Sequence, residues 1–131
     1  MSQDSIFLQF SDEIQEKLKS LNITTPTSVQ QNVIPTILEN KNVIFQSETG
    51  TGKTFTYLLP IIKRIYETST NEGIKAIICA PTFELASQIK QAAMSVTSLK
   101  TALFIGGAPI KRQIESLKEK PQIIVGTTAR L

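Results

Sequence analysis

The chain has 131 residues and a mass of 14.5 kDa, with 40% apolar and 19% charged residues, which suits one folded domain and not a disordered segment. No apolar run approaches the roughly 20 residues of a membrane span, and residues 1–10 are too polar for a secretory leader, so a soluble, cytoplasmic chain is expected. The single cysteine, Cys79, excludes an internal disulfide, and the lack of histidine excludes histidine-based catalysis and most zinc sites. Net charge is +3 but uneven: residues 1–85 hold seven basic and nine acidic residues (−2), whereas 86–131 hold seven basic residues against Glu115 and Glu119 (+5). A basic second half points to a polyanionic partner.

Taken along the chain, the periodicity alternates helices and strands. Ile14, Leu18 and Leu21 recur at i, i+4, i+7 behind Ser11-Asp12, the pattern of a short amphipathic helix. Thr27 caps a second helix carrying Val29, Val33 and Ile34, and Pro35 is expected to interrupt it and start another turn through Ile37 and Leu38. Val43-Ile44-Phe45 reads as a short apolar strand, and residues 53–66 as a long helix kinked at Pro60. Strand 76–80, helix 83–97, strand 102–105, helix 109–118 and strand 122–126 follow, with Thr68–Gly73 as a surface loop. Apolar strands of four or five residues separated by helices predict an α/β fold, a parallel sheet flanked by helices on both faces. The pattern shows no repeat or linker, so one domain is expected, with Cys79 as a core residue on its strand.

The strongest chemical signal is Ser47-Glu48-Thr49-Gly50-Thr51-Gly52-Lys53-Thr54, which follows a predicted strand and opens a predicted helix. Gly50 and Gly52 can take backbone angles closed to other residues, so consecutive N–H groups turn inward as an anion nest. The helix starting near Lys53 aims its positive end at the same place. Lys53 then reaches the β- and γ-phosphates of a nucleotide, and the Thr54 hydroxyl ligates Mg²⁺. Ser47 stands where the strict pattern has glycine. Upstream, the amide of Gln30 offers one donor and one acceptor, which match adenine N7 and N6 and disfavour guanine.

Together these segments resemble the DEAD-box RNA helicase family. Residues 22–30 resemble its Q motif, with Thr25 and Gln30 on the nucleotide; Asn22 stands where glycine is usual and Ile23 where an aromatic is usual. The family also places an upstream aromatic over adenine, for which Phe7 and Phe10 are the candidates. Residues 47–54 match motif I. Pro81-Thr82-Phe83-Glu84-Leu85-Ala86 resembles motif Ia, with Phe83 in place of an arginine; Gly106-Gly107 matches the family's GG element; and Thr127-Thr128-Ala129-Arg130-Leu131 resembles Thr-Pro-Gly-Arg-Leu, with Thr128 for proline and Ala129 for glycine. The resemblance implies that Lys53 and Thr54 serve catalysis, that ATP and Mg²⁺ are the cofactors, and that Pro81, Thr82, Gly106, Gly107, Thr127, Thr128 and Arg130 contact RNA. Such contacts to sugar and phosphate are salt-sensitive and nearly blind to base sequence.

The resemblance also implies that residues 1–131 are the N-terminal portion of the first RecA-like domain of an ATP-dependent RNA helicase, with the Asp-Glu-Ala-Asp segment, the Ser-Ala-Thr element and a second RecA-like domain following. Phosphoryl transfer needs a metal carboxylate, a positioned nucleophile and a charge clamp; the sequence has no Asp-Glu pair after Lys53. These residues alone are therefore expected to bind nucleotide weakly and to hydrolyse it negligibly. In relatives the later strands lie beside strand 43–46, so without them the sheet is expected to expose unpaired edges and the fragment to self-associate or rearrange. The competing readings are another P-loop enzyme, a kinase or DNA helicase, and a non-catalytic module that binds nucleotide or RNA.

Overall fold

The structure, a computed structural model, describes residues 6–46, 53–67, 73–105 and 110–127. It divides into two compact units, 1–67 and 68–131. The first is helical: a 3₁₀ turn at Ile6–Gln9 precedes α1 (Asp12–Ser20), α2 (Ser28–Leu38) and α3 (Lys53–Glu67). Helix α1 starts because Ser11 accepts the Ile14 N–H at 3.3 Å, with Asp12 and Glu13 in its positive first turn. Helices α2 and α3 pack together, and the core collects Ile14, Leu18, Ile34, Leu58, Leu59 and Ile62, each at most 1% exposed.

Two expectations for this unit change. Helix α2 runs through Pro35 and ends three residues later at Leu38. The proline removes one backbone donor, but buried Val33 and Ile34 anchor the preceding turn. The end is tied down by Asn40 N–H to the Ile37 carbonyl at 3.0 Å and Lys41 N–H to that of Thr36 at 3.3 Å. Asn40 takes φ +66°, the left-handed conformation that closes such helix ends. The strand expected at 43–46 does not form: residues 41–46 carry no regular structure, and Ile44 is fully exposed. A short apolar run of this kind is stable only between sheet neighbours, and among the described residues nothing pairs with it.

The second unit is a parallel α/β layer. Strands β1 (Ala76–Cys79), β2 (Thr101–Phe104) and β3 (Ile123–Gly126) form a sheet in the order β1-β3-β2, with α4 (Phe83–Val96) and α5 (Ile110–Ser116) as the crossovers. The register sets Ala76 and Thr101 level with Ile123, and Cys79 and Phe104 level with Gly126. Central β3 is buried at all four positions, as an apolar run covered on both faces must be. The helix expected at 109–118 ends at Ser116 and tightens into a 3₁₀ turn at Leu117–Glu119, stopped by Lys120 at φ +56° before Pro121.

Cys79 is not a core residue: it is exposed, as is Ile77 at 62%. Helix α4 lies on β2 and β3, and α5 on β2. Ile77 and Cys79 share one face of β1, and both are exposed on it.

The difference between the central and edge strands is measurable. Ile123→Ala, at a fully buried position of β3, should cost about 2–5 kcal/mol. Ile77→Ala on β1 should cost less than about 0.5 kcal/mol. Urea unfolding midpoints of the two variants check this ranking.

Candidate functional site

In the first unit the site residues stand at helix starts. The Thr27 hydroxyl accepts the Gln30 N–H at 3.2 Å while the Gln30 side-chain oxygen accepts the Thr27 N–H at 2.9 Å, a reciprocal box that opens α2. Gln30 is thus held in one rotamer and is only 1% exposed. Thr25 is exposed just ahead of it. Asn22 has φ +63°; its N–H bonds the Lys19 carbonyl at 2.9 Å and the Ile23 N–H bonds that of Leu18 at 2.8 Å, the paired bonds of a Schellman helix end. Phe7 and Phe10 are both core residues, 6% and 4% exposed.

Lys53 and Thr54 are the first residues of the 15-residue α3, and both are half-buried. An α-helix leaves its first N–H groups without intrahelical acceptors, so this end carries a partial positive charge. Burial pushes the Tyr57 phenol above its ordinary value of 10.0, and a side-chain hydrogen bond with Thr54 partly offsets that rise. Tyr57 therefore fixes the Thr54 hydroxyl. The remaining phosphate-loop residues, Ser47, Glu48, Thr49, Gly50, Thr51 and Gly52, lie outside the described residues.

In the second unit the parallel strands bring three expected segments to one end of the sheet. Pro81 and Thr82 follow β1, Ile105 follows β2, and Thr127 follows β3. The ends are level: Ala80 N–H bonds the Gly126 carbonyl at 2.9 Å and Thr127 N–H bonds the Phe104 carbonyl at 3.0 Å. Neighbouring strands lie about 4.8 Å apart, so the segments sit side by side. Thr82 caps α4 by accepting the Leu85 N–H at 3.2 Å, and Phe83 is 56% exposed. Gly106, Gly107, Thr128 and Arg130 lie outside the described residues.

Sequence reasoning passed over Gln113 and Tyr57. Gln113 is 6% exposed, and its amide donates to the Ile105 carbonyl at 2.7 Å, holding the chain just before Gly106. A lone amide on the apolar stripe Ile110, Ile114, Leu117 was its signal.

A sequence profile of the DEAD/DEAH box helicase family matches residues 27–131. The chain belongs to the DEAD/DEAH box helicase family. It is 41% identical, over its whole length, to the DEAD-box ATP-dependent RNA helicase CshB of Listeria monocytogenes, of which it covers 31%. Identity is 44% over 80% of the chain to the DEAD-box ATP-dependent RNA helicase CshC of Bacillus cereus, of which the match covers 27%. Among solved structures it resembles a DEAD box protein from the hyperthermophile Methanococcus jannaschii, with TM-score 0.82 and 38% identity over 92% of this chain and 33% of that one. The chain thus spans about a third or less of the relatives it matches. Its parallel sheet with flanking helices is part of the RecA-like domain of a DEAD-box protein.

Within this helicase family member the left-handed Asn22 explains its own departure from the usual glycine: asparagine is the next residue to adopt that conformation at low cost. Asn22→Gly should stay within about 0.5 kcal/mol of the parent, whereas Asn22→Val should lose about 1–2 kcal/mol, read from thermal or urea unfolding. The raised Tyr57 value favours the neutral phenol in the folded chain, so the fold keeps a proton that the unfolded chain gives up. Stability should fall as pH rises past 10.0, with the Tyr57 tyrosinate absorbance appearing above that pH. Tyr57→Phe should remove this part of the alkaline loss.

Proposed function

We propose that this chain is the ATP-binding and part of the RNA-binding surface of a DEAD-box ATP-dependent RNA helicase. The observation that supports this best is the start of α3 at Lys53-Thr54, directly after Gly50-Thr51-Gly52 in the sequence. Unpaired N–H groups, the helix dipole and a lysine converge where a nucleotide's phosphates would lie. Lys53 would bind the β- and γ-phosphates as a point charge. The donor set also fits Mg²⁺, which keeps most of its waters and asks the protein for one or two oxygens; among the described residues Thr54 supplies such an oxygen, held by Tyr57. When bound, the metal would neutralise phosphate charge.

On this reading Gln30 does two things. Its oxygen keeps the Thr27 N–H, and a carbonyl oxygen has a second lone pair with which to accept from adenine N6. The amide NH₂ would donate to adenine N7, giving preference for ATP over GTP. RNA would cross the level strand ends, where Thr82 and Thr127 offer hydroxyls; Gly106 and Gly107, having no side chains, would let a sugar-phosphate chain approach closely. Strand separation by two domains closing on ATP and RNA belongs to the whole protein; residues 1–131 alone would bind nucleotide with negligible hydrolysis, in the cytoplasm. No helix among the described residues is long and apolar enough to cross a membrane.

Two variants test the nucleotide site by calorimetry with Mg-ATP. Lys53→Ala should lose about 1.5–3 kcal/mol of binding; an unchanged affinity would remove the phosphate-loop assignment. Gln30→Ala removes both the capping oxygen and the amide donor, so it should weaken ATP by about 1–3 kcal/mol and cost about 0.5–2 kcal/mol of folding stability through the lost cap. Equal affinity of the parent for ATP and GTP would favour a different P-loop enzyme.

A further inference from the structure

A groove of about 270 Å³ runs along the outer edge of β2, bounded by α5 and reached by Lys90 of α4. On a parallel strand alternate residues face alternate neighbours. The Lys100 carbonyl accepts from Gln122 and Ile123, and that of Phe104 from Thr127, so the even-numbered residues face β3. The backbone groups of Thr101, Leu103 and Ile105 therefore face the groove, and all three residues line it. At its far end Gln113 already donates to the Ile105 carbonyl at 2.7 Å.

The lining also carries charge. Lys90, Lys100 and Arg112 face it against one carboxylate, Glu119, and Lys100 is steered by a 3.1 Å bond to the Glu119 carbonyl. We propose that this groove takes an extended acidic peptide as an added strand on β2, with backbone pairing at Thr101 and Leu103 and carboxylates at alternate positions over the three cations. A second copy of this chain is a poor occupant, because edge-to-edge pairing would oppose the same cations. A nucleic acid strand is also a poor one: the outward carbonyls repel phosphate, and Leu103 and Ile105 make the floor apolar. The site does not depend on the nucleotide reading.

The test uses the intact protein and a fluorescein-labelled, end-blocked heptapeptide alternating glutamate and valine, read by fluorescence anisotropy. Binding should weaken with salt, and a lysine-for-glutamate peptide should not bind. Methylating one alternate set of peptide amides should abolish binding while methylating the other set leaves it, the signature of strand pairing. Leu103→Pro removes an outward N–H at an edge position where proline is tolerated; with an unchanged circular dichroism spectrum it should weaken the peptide about tenfold or more, and Leu103→Ala should not. Lys90→Glu with Arg112→Glu should also abolish binding. The proposal is overturned if the peptide does not bind, in which case the cations only guard the edge, or if both methylated peptides bind alike. It is overturned equally if an oligouridylate, and not the peptide, loses binding in the charge-reversed variant.

Discussion

The pairing of β3 on both of its edges is the constraint from which the second unit follows. With all four residues buried and a strand on either side, β3 fixes the register of β1 and β2, and that register makes the strand ends level. Thr82 and Thr127 are distant in sequence, yet the sheet sets their segments side by side because each follows a strand that ends at the same height. A parallel sheet concentrates its loops in this way at the carboxyl ends of its strands, which is why binding residues gather there.

In the first unit the equivalent work falls to polar groups at helix ends. Thr27 and Gln30 satisfy each other's backbone donors, Asn22 closes α1, and Tyr57 holds the Thr54 hydroxyl. Gln30 is a structural cap and, on the proposed reading, also the residue that meets the nucleotide's base. A buried amide such as Gln30 is costly unless satisfied, and the capping box satisfies its oxygen. Preorganisation and folding stability then rest on the same bonds.

These examples also explain what could be read in advance. Five helices and three strands stand within a few residues of where periodicity places them, because apolar spacing and caps are local signals. The DEAD-box resemblance likewise rested on short contiguous motifs, and the family match over 27–131 agrees with it. Strand 43–46 and buried Cys79 failed for one reason: both need neighbours from elsewhere in a sheet, and a run of apolar residues does not say whether those neighbours are present. The continuation of α2 through Pro35 reflects packing at Val33 and Ile34 overriding a local breaker. Gln113 was missed because its partner is a backbone carbonyl eight positions away, a relation with no trace in composition.

Charge illustrates the same limit. The +5 of residues 86–131 invites the inference that RNA follows the lysines. The fold separates the two. Lys100 precedes β2 and Lys120 precedes β3, at the amino ends of those strands, whereas Thr82, Ile105 and Thr127 stand at the carboxyl ends. Four residues of strand place roughly 13 Å between these ends, more than a Debye length at physiological salt. Lys100 also lines the β2 groove with Lys90 and Arg112, beside the sheet and not across its top. Hydroxyls and backbone amides at the strand ends are suited to hold a sugar-phosphate chain by contact, while Lys100 and Lys120 set a field at the opposite end. Net charge therefore names a class of partner for this half of the chain, and only the strand register says which surface meets it.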